Sequence, residues 1–109
     1  MNNIENIFDR EVLNNKGIVI VYFWAEWCSK CKIASPMFEK IKEETPNIKF
    51  CKLNIDKDKN NTAKKLGVMT LPTIIIFNNG IEINRLIGLI NEKELKEFIK
   101  ENVTIDKVQ

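Results

Sequence analysis

The chain has 109 residues, a mass of 12.7 kDa and a formal net charge of +2, with 44% hydrophobic and 29% charged residues. That size fits a single domain over residues 1–109, and the apolar share excludes a disordered tail. The near balance of charge gives no electrostatic case for nucleic acid. The absence of histidine excludes Ser-His-Asp and Cys-His nucleophiles and every His-containing metal site.

From the N-terminus, Met1 to Asn6 lacks the basic and apolar regions of a signal peptide. Ile4, Ile7, Phe8, Val12 and Leu13 recur at helical spacing and predict a helix over 4–15, ended by Lys16-Gly17. Ile18 to Trp24 is continuous, β-branched and aromatic, the pattern of a strand buried on both faces. The longest apolar run, Ile18 to Ala25, is too short to cross a membrane. Ile33, Ala34, Met37, Phe38 and Ile41 mark a helix over 29–44, with Pro36 inside it to kink it.

Pro46-Asn47 turns into a strand from Ile48 to about Ile55. Asn60 or Asn61 is placed to cap a short helix that stops at Gly67. Thr73 to Phe77 and Ile81 to Ile87 read as a hairpin turning at Asn78-Asn79-Gly80. Asn91 and Glu94 open a last helix that buries Leu95, Phe98, Ile99 and Val103, with a fraying tail after about Asn102. The order α-β-α-β-α-β-β-α predicts an α/β fold, its first two strands parallel and its last two antiparallel.

The chemistry-bearing segment is Trp24-Ala25-Glu26-Trp27-Cys28-Ser29-Lys30-Cys31-Lys32. Two cysteines at i and i+3 follow a buried strand and open a helix. Exposed N–H groups and the helix dipole favour a thiolate at Cys28, and the thiolate is the nucleophile in disulfide exchange. Cys31, one turn deeper, is the resolving thiol. As N-cap, the Cys28 sulfur is placed to accept from the Lys30 and Cys31 N–H groups. A zinc site is the other use of such a pair. It needs four ligands, and only Cys51 remains, so redox chemistry is favoured and no metal is expected. Cys51, within a strand, reads as a buried core thiol. The odd cysteine count argues against a secreted, fully paired protein, and a cytoplasmic location is expected.

With Phe23-Trp24-Ala25-Glu26-Trp27-Cys28, Lys32, Pro36, Lys52-Leu53-Asn54-Ile55-Asp56, Leu71-Pro72-Thr73, Phe77, Asn79-Gly80 and Gly88, the sequence resembles the thioredoxin family over nearly its whole length. Thioredoxin is itself the type case of the Cys-X-X-Cys redox motif. The resemblance implies a central mixed sheet of four to five strands flanked by four helices. It implies a thiol–disulfide oxidoreductase, a protein-disulfide reductase that needs no metal or organic cofactor because Cys28 and Cys31 carry the electrons. A flavin-containing thioredoxin reductase-like donor and oxidised protein substrates are the implied partners, with no nucleic acid and no membrane, and the chain a monomer. The Leu71–Pro72 bond is implied to be cis and to face the cysteines. Thr70 and Leu71 would pair with an extended substrate, and Trp27, Gly88 and Leu89 would line the contact surface.

Four departures qualify the resemblance. Ser29-Lys30 stands where typical thioredoxins have Gly-Pro, so the lysine charge should lift the reduction potential. Tyr22 replaces a buried Asp that moves the proton of the second thiol. Lys52, the usual neighbour of that acid, should then reach toward solvent or the Tyr22 hydroxyl, and Glu26 is the nearest acid in sequence. Asn2 to Ile7 does not look like the usual opening edge strand, which is expected to be short or absent. Met69-Thr70 precedes Leu71-Pro72, which points to a different choice of partner. The rival reading is a non-catalytic docking module that uses the same surface for binding alone.

Overall fold

The structure, a computed structural model, describes residues 7–88 and 91–108, with side chains to Val103. Four strands form one mixed sheet: β1 (Ile18–Trp24), β2 (Lys49–Asn54), β3 (Thr73–Asn78) and β4 (Ile81–Ile87), in the order β2-β1-β3-β4. β1 is parallel to β2 and antiparallel to β3, and β3 is antiparallel to β4. Around the sheet lie a π-helical segment at Asp9–Leu13, α1 (Ser29–Glu44), α2 (Thr62–Lys65) and α3 (Glu92–Val108). The expected mixed sheet with four helices is the observed one. For the missing edge strand, Asn2 to Asn6 lie outside the described residues, and Ile7 is helical.

β1 explains the two layers. Its even residues Ile20 and Tyr22 join Ala34, Phe38 and Ile41 of α1 and Leu95, Ile99 and Val103 of α3 in one cluster. Its odd residues Val19, Val21 and Phe23 pack with Phe8, Val12 and Ala63 on the opposite face. A strand covered on both sides has no polar face, which is why its sequence is continuously apolar. Each such buried side chain contributes roughly 1.5–3 kcal/mol.

Some boundaries differ from the sequence reading. β2 ends at Asn54, whose side chain accepts from the Asp56 N–H and turns the chain into a 3₁₀ turn at Ile55–Lys57. Asn61, one of the two expected, is the N-cap residue of α2 but makes no side-chain capping bond. Asp58 does, its carboxylate accepting from the Thr62 and Ala63 N–H groups at 3.0 and 2.8 Å. A carboxylate reaching the first turn from outside also complements the helix dipole. α1 runs from Ser29 to Glu44 as expected, and α3 stays helical to Val108 where fraying was expected.

The hairpin turn fastens the far end of the sheet. Asn79 and Gly80 both have positive φ, 52° and 80°, as an Asn-Gly hairpin demands. Asn79 is bonded to Gly17 twice: its side-chain oxygen accepts from the Gly17 N–H, and its own N–H donates to the Gly17 carbonyl. A Cβ on Gly80 would run into the Leu13 carbonyl oxygen. Gly80→Ala is therefore expected to destabilise by about 2–3 kcal/mol through backbone strain and clash. A thermal melt should fall by about 10 °C or more; an unchanged melt would contradict the close approach.

Candidate active site

Strand pairing gathers the site at one end of the sheet. Trp24 stands opposite Asn54, Phe23 opposite Thr73, and Thr73 opposite Ile87. The chain leaving β1, the chain leaving β2, the loop entering β3 and the chain leaving β4 therefore meet. Ala25, Cys28 and Cys31 form a buried cluster there, with Trp24, Ile55 and Leu71 packed against it.

Cys28 is the N-cap of α1, with φ −85° and ψ 108°, and its sulfur accepts from the Cys31 N–H at 3.2 Å. Of the two donors expected, Cys31 is the one that reaches; Ser29 and Lys30 lie exposed on the first helical turn. Both cysteines are free thiols. Cys28 is 7% exposed and Cys31 1%. Burial first, and the Cys28 sulfur next, push the Cys31 thiol up. Cys51 is half-buried instead of fully enclosed, because it lies on β2 at the sheet edge; burial raises its thiol too.

Tyr22 lies in the sheet beneath Cys31, fully buried, its ring stacked on Phe38 at 4.7 Å. The hydroxyl donates to the Cys31 carbonyl at 3.1 Å and shares a 2.9 Å hydrogen bond with Ser35. Burial pushes its ionisation up to about 12, so it is a donor and not a base at neutral pH.

Lys52 corrects the sequence reading. It has an anionic partner: its ammonium lies 2.8 Å from a Glu39 carboxylate oxygen and 5.9 Å from the centre of the Trp24 ring. Lys52 holds the Glu39 carboxyl below its ordinary range. Trp24, Glu26, Cys31, Lys32, Ser35, Glu39 and Lys52 line one cleft of about 580 Å³. Glu26 is exposed on its rim. The sequence reading missed Ser35 and Glu39. The signal was present, since Cys31, Ser35 and Glu39 are spaced by four along α1 and form one helical stripe.

The Leu71–Pro72 peptide is cis. Leu71 packs against the cysteine cluster, and among the described residues no hydrogen bond engages its N–H or C=O. The Thr70 carbonyl, by contrast, accepts from the Thr73 hydroxyl. Gly88, with φ +92°, donates its N–H to the Pro72 carbonyl at 2.8 Å. Trp27 and Met69 are 67% and 92% exposed. Leu89 lies outside the described residues. Among the described residues, no group of three or more His, Cys, Asp or Glu is placed to hold a metal ion, and no helix is long and apolar enough to cross a membrane.

An α/β protein that offers a Cys-X-X-Cys pair at a helix N-terminus, beside a cis-proline loop, has the form of a dithiol–disulfide exchanger. The thioredoxin family model matches residues 2–101. A thioredoxin of Buchnera aphidicola subsp. Acyrthosiphon pisum is 40% identical over 97 residues, covering 88% of this chain and 89% of the relative. One from Rickettsia typhi is 39% identical over 105 residues, covering 94% and 99%. One from Mycoplasma genitalium is 40% identical over 85 residues, covering 78% and 82%. The chain belongs to the thioredoxin family.

The three thiols should be chemically distinct. With a limiting alkylating reagent near neutral pH, Cys28 is expected to react first, because it is the more open of the pair and accepts an N–H bond. Cys51 should follow slowly and Cys31 last, both raised by burial. Peptide mass mapping over time checks the order; Cys31 reacting first would reverse it.

Proposed function

We propose that this chain is a protein-disulfide reductase in which Cys28 is the nucleophile and Cys31 the resolving thiol. The Cys28 thiolate attacks one sulfur of a substrate disulfide. A mixed disulfide forms, and the other substrate sulfur leaves with the electron pair and takes up a proton. Cys31, deprotonated in turn, attacks the Cys28 sulfur. The Cys28–Cys31 bond forms and the second substrate thiol is released. The two sulfurs carry both electrons, so no metal or organic cofactor takes part.

One observation carries this reading: the Cys28 sulfur sits at the N-cap of α1 with the Cys31 N–H on it, next to Leu71, whose backbone N–H and C=O are unengaged among the described residues. An extended substrate segment can pair with that backbone as a short strand does. Trp27, Thr70, Pro72, Gly88 and Leu89 complete the proposed contact surface. We place the chain in the cytoplasm as a monomeric single domain. A flavin-containing thioredoxin reductase-like enzyme supplies its electrons and oxidised proteins receive them.

Cys28→Ser should abolish reduction of a protein disulfide driven by dithiothreitol, and Cys31→Ser should trap a stable mixed disulfide through Cys28. Mass spectrometry of the trapped species decides between them. Trapping through Cys31 would reverse the roles. No acceleration by the wild-type chain over dithiothreitol alone would favour the docking module.

Lys30 gives a second test. An exposed pair of opposite charges is worth about 0.2–1 kcal/mol. By attracting the thiolate Lys30 stabilises the reduced state. Lys30→Gln should therefore lower the reduction potential by roughly 4–20 mV on the scale of 30 mV per 1.4 kcal/mol. Equilibration with glutathione checks it; a rise would overturn the assignment of Lys30 as a stabiliser of the thiolate.

A further inference from the structure

The ring of Tyr22 would be replaced by phenylalanine with no loss of packing, so its hydroxyl calls for a separate explanation. A hydroxyl at a fully buried position costs free energy unless it is paired. Tyr22 pairs its hydroxyl with the carbonyl of the resolving cysteine and with Ser35, which borders the cleft. A continuous line of polar groups thus runs from Cys31 through Tyr22 and Ser35 to open solvent.

We propose that Tyr22, braced by Ser35, is a positioning residue for the second half of the exchange: its hydroxyl fixes the first turn of α1 at the Cys31 carbonyl and turns its hydrogen bond onto the Cys31 sulfur as that sulfur ionises. The proposal rests on the exchange reading above. Cys31 gives its proton to water in the cleft. The thiolate, a stronger acceptor than a carbonyl, then takes the Tyr22 hydrogen bond. It attacks the Cys28 sulfur, the Cys28–Cys31 bond forms, and the bond from Cys28 to the substrate breaks. The substrate thiolate leaves with the electron pair and recovers a proton from water.

Among the side chains around Cys31, the surroundings leave this role to the Tyr22 hydroxyl. Glu26 beyond β1, Lys32 and Glu39 on α1 and Lys52 on β2 share the cleft with Cys31, two acids against two bases. Glu39 is already committed to Lys52. Cys28, Ile55 and Leu71 pack on the remaining sides. Against burial and against Cys28, the Ala25 backbone and then the Tyr22 hydroxyl favour the Cys31 thiolate.

Stopped-flow measurement of mixed-disulfide decay across pH 6–10 tests the proposal on the full chain. Tyr22→Phe should slow resolution about tenfold near neutral pH, the size of a lost hydrogen bond to a charged group. The midpoint of the rate–pH curve should rise by about one unit, while the Cys28 attack that precedes it keeps its rate. Ser35→Ala should shift the same step in the same direction by about threefold, and it decides the matter if Tyr22→Phe folds poorly. An unchanged resolution rate and midpoint in the folded variants would overturn the proposal. So would equal slowing of both half-reactions, the mark of a general packing loss, or a carboxylate-dependent step that vanishes in Glu26→Gln or Glu39→Gln. Failure of the wild-type chain to form a mixed disulfide through Cys28 would overturn the exchange reading itself, and is seen before any Tyr22 variant is made.

Discussion

Phe23 of β1 faces Thr73 of β3, and the placement of the cis-proline loop and of Gly88 beside the two cysteines follows from that pairing. It sets Pro72 beside the end of β1, where the chain turns through Ala25 into α1. Through Thr73 and Ile87 it sets Gly88 beside Pro72. Slipping the register by one residue would exchange the two faces of the strand. Tyr22 would then leave Phe38 and Cys31 for the layer of Phe8 and Val12. Fold and chemistry are therefore specified by the same alternation of apolar side chains.

The two thiols sit in different surroundings. Cys28 stands at the mouth of the helix, where an N–H bond is available to its sulfur. Cys31 is enclosed one turn deeper and held toward its protonated form. In the proposed exchange this asymmetry lets the first thiol attack while the second stays protonated until the mixed disulfide has formed. The cleft beside Cys31 is lined by the Glu39–Lys52 ion pair, which presents compensated charge to it.

Much of this was legible in the sequence because it depends on local periodicity. The continuous run at Ile18 to Trp24 marked a central strand, Asn79-Gly80 marked the hairpin, and the spacing of Cys28 and Cys31 marked the helix start. The residues that escaped detection act across elements. Lys52 reaches Glu39 from β2 to α1, and that meeting depends on the parallel pairing of β1 with β2 and on how α1 lies over the sheet. Asp58, and not the N-cap residue Asn61, supplies the side-chain bonds at the start of α2. Cys51 belonged to a strand as expected, but strand membership alone does not tell a central position from an edge.

The two-sided burial of β1 also bears on how the chain is made. β1 is completed by residue 24, yet its partner β3 begins at Thr73, and α3, which covers one of its faces, begins at Glu92. Its longest-range pairing closes across more than 50 residues, Ile18 to Asn78, and such contacts form late because the loop entropy is lost before they reward it. On the ribosome, the most apolar segment and both active-site sulfurs therefore emerge long before anything can cover them. Until β3 and α3 have followed, Cys28 and Cys31 are ordinary thiols on an unfolded chain, open to oxidation and aggregation. Their distinct reactivities arise only when the sheet closes.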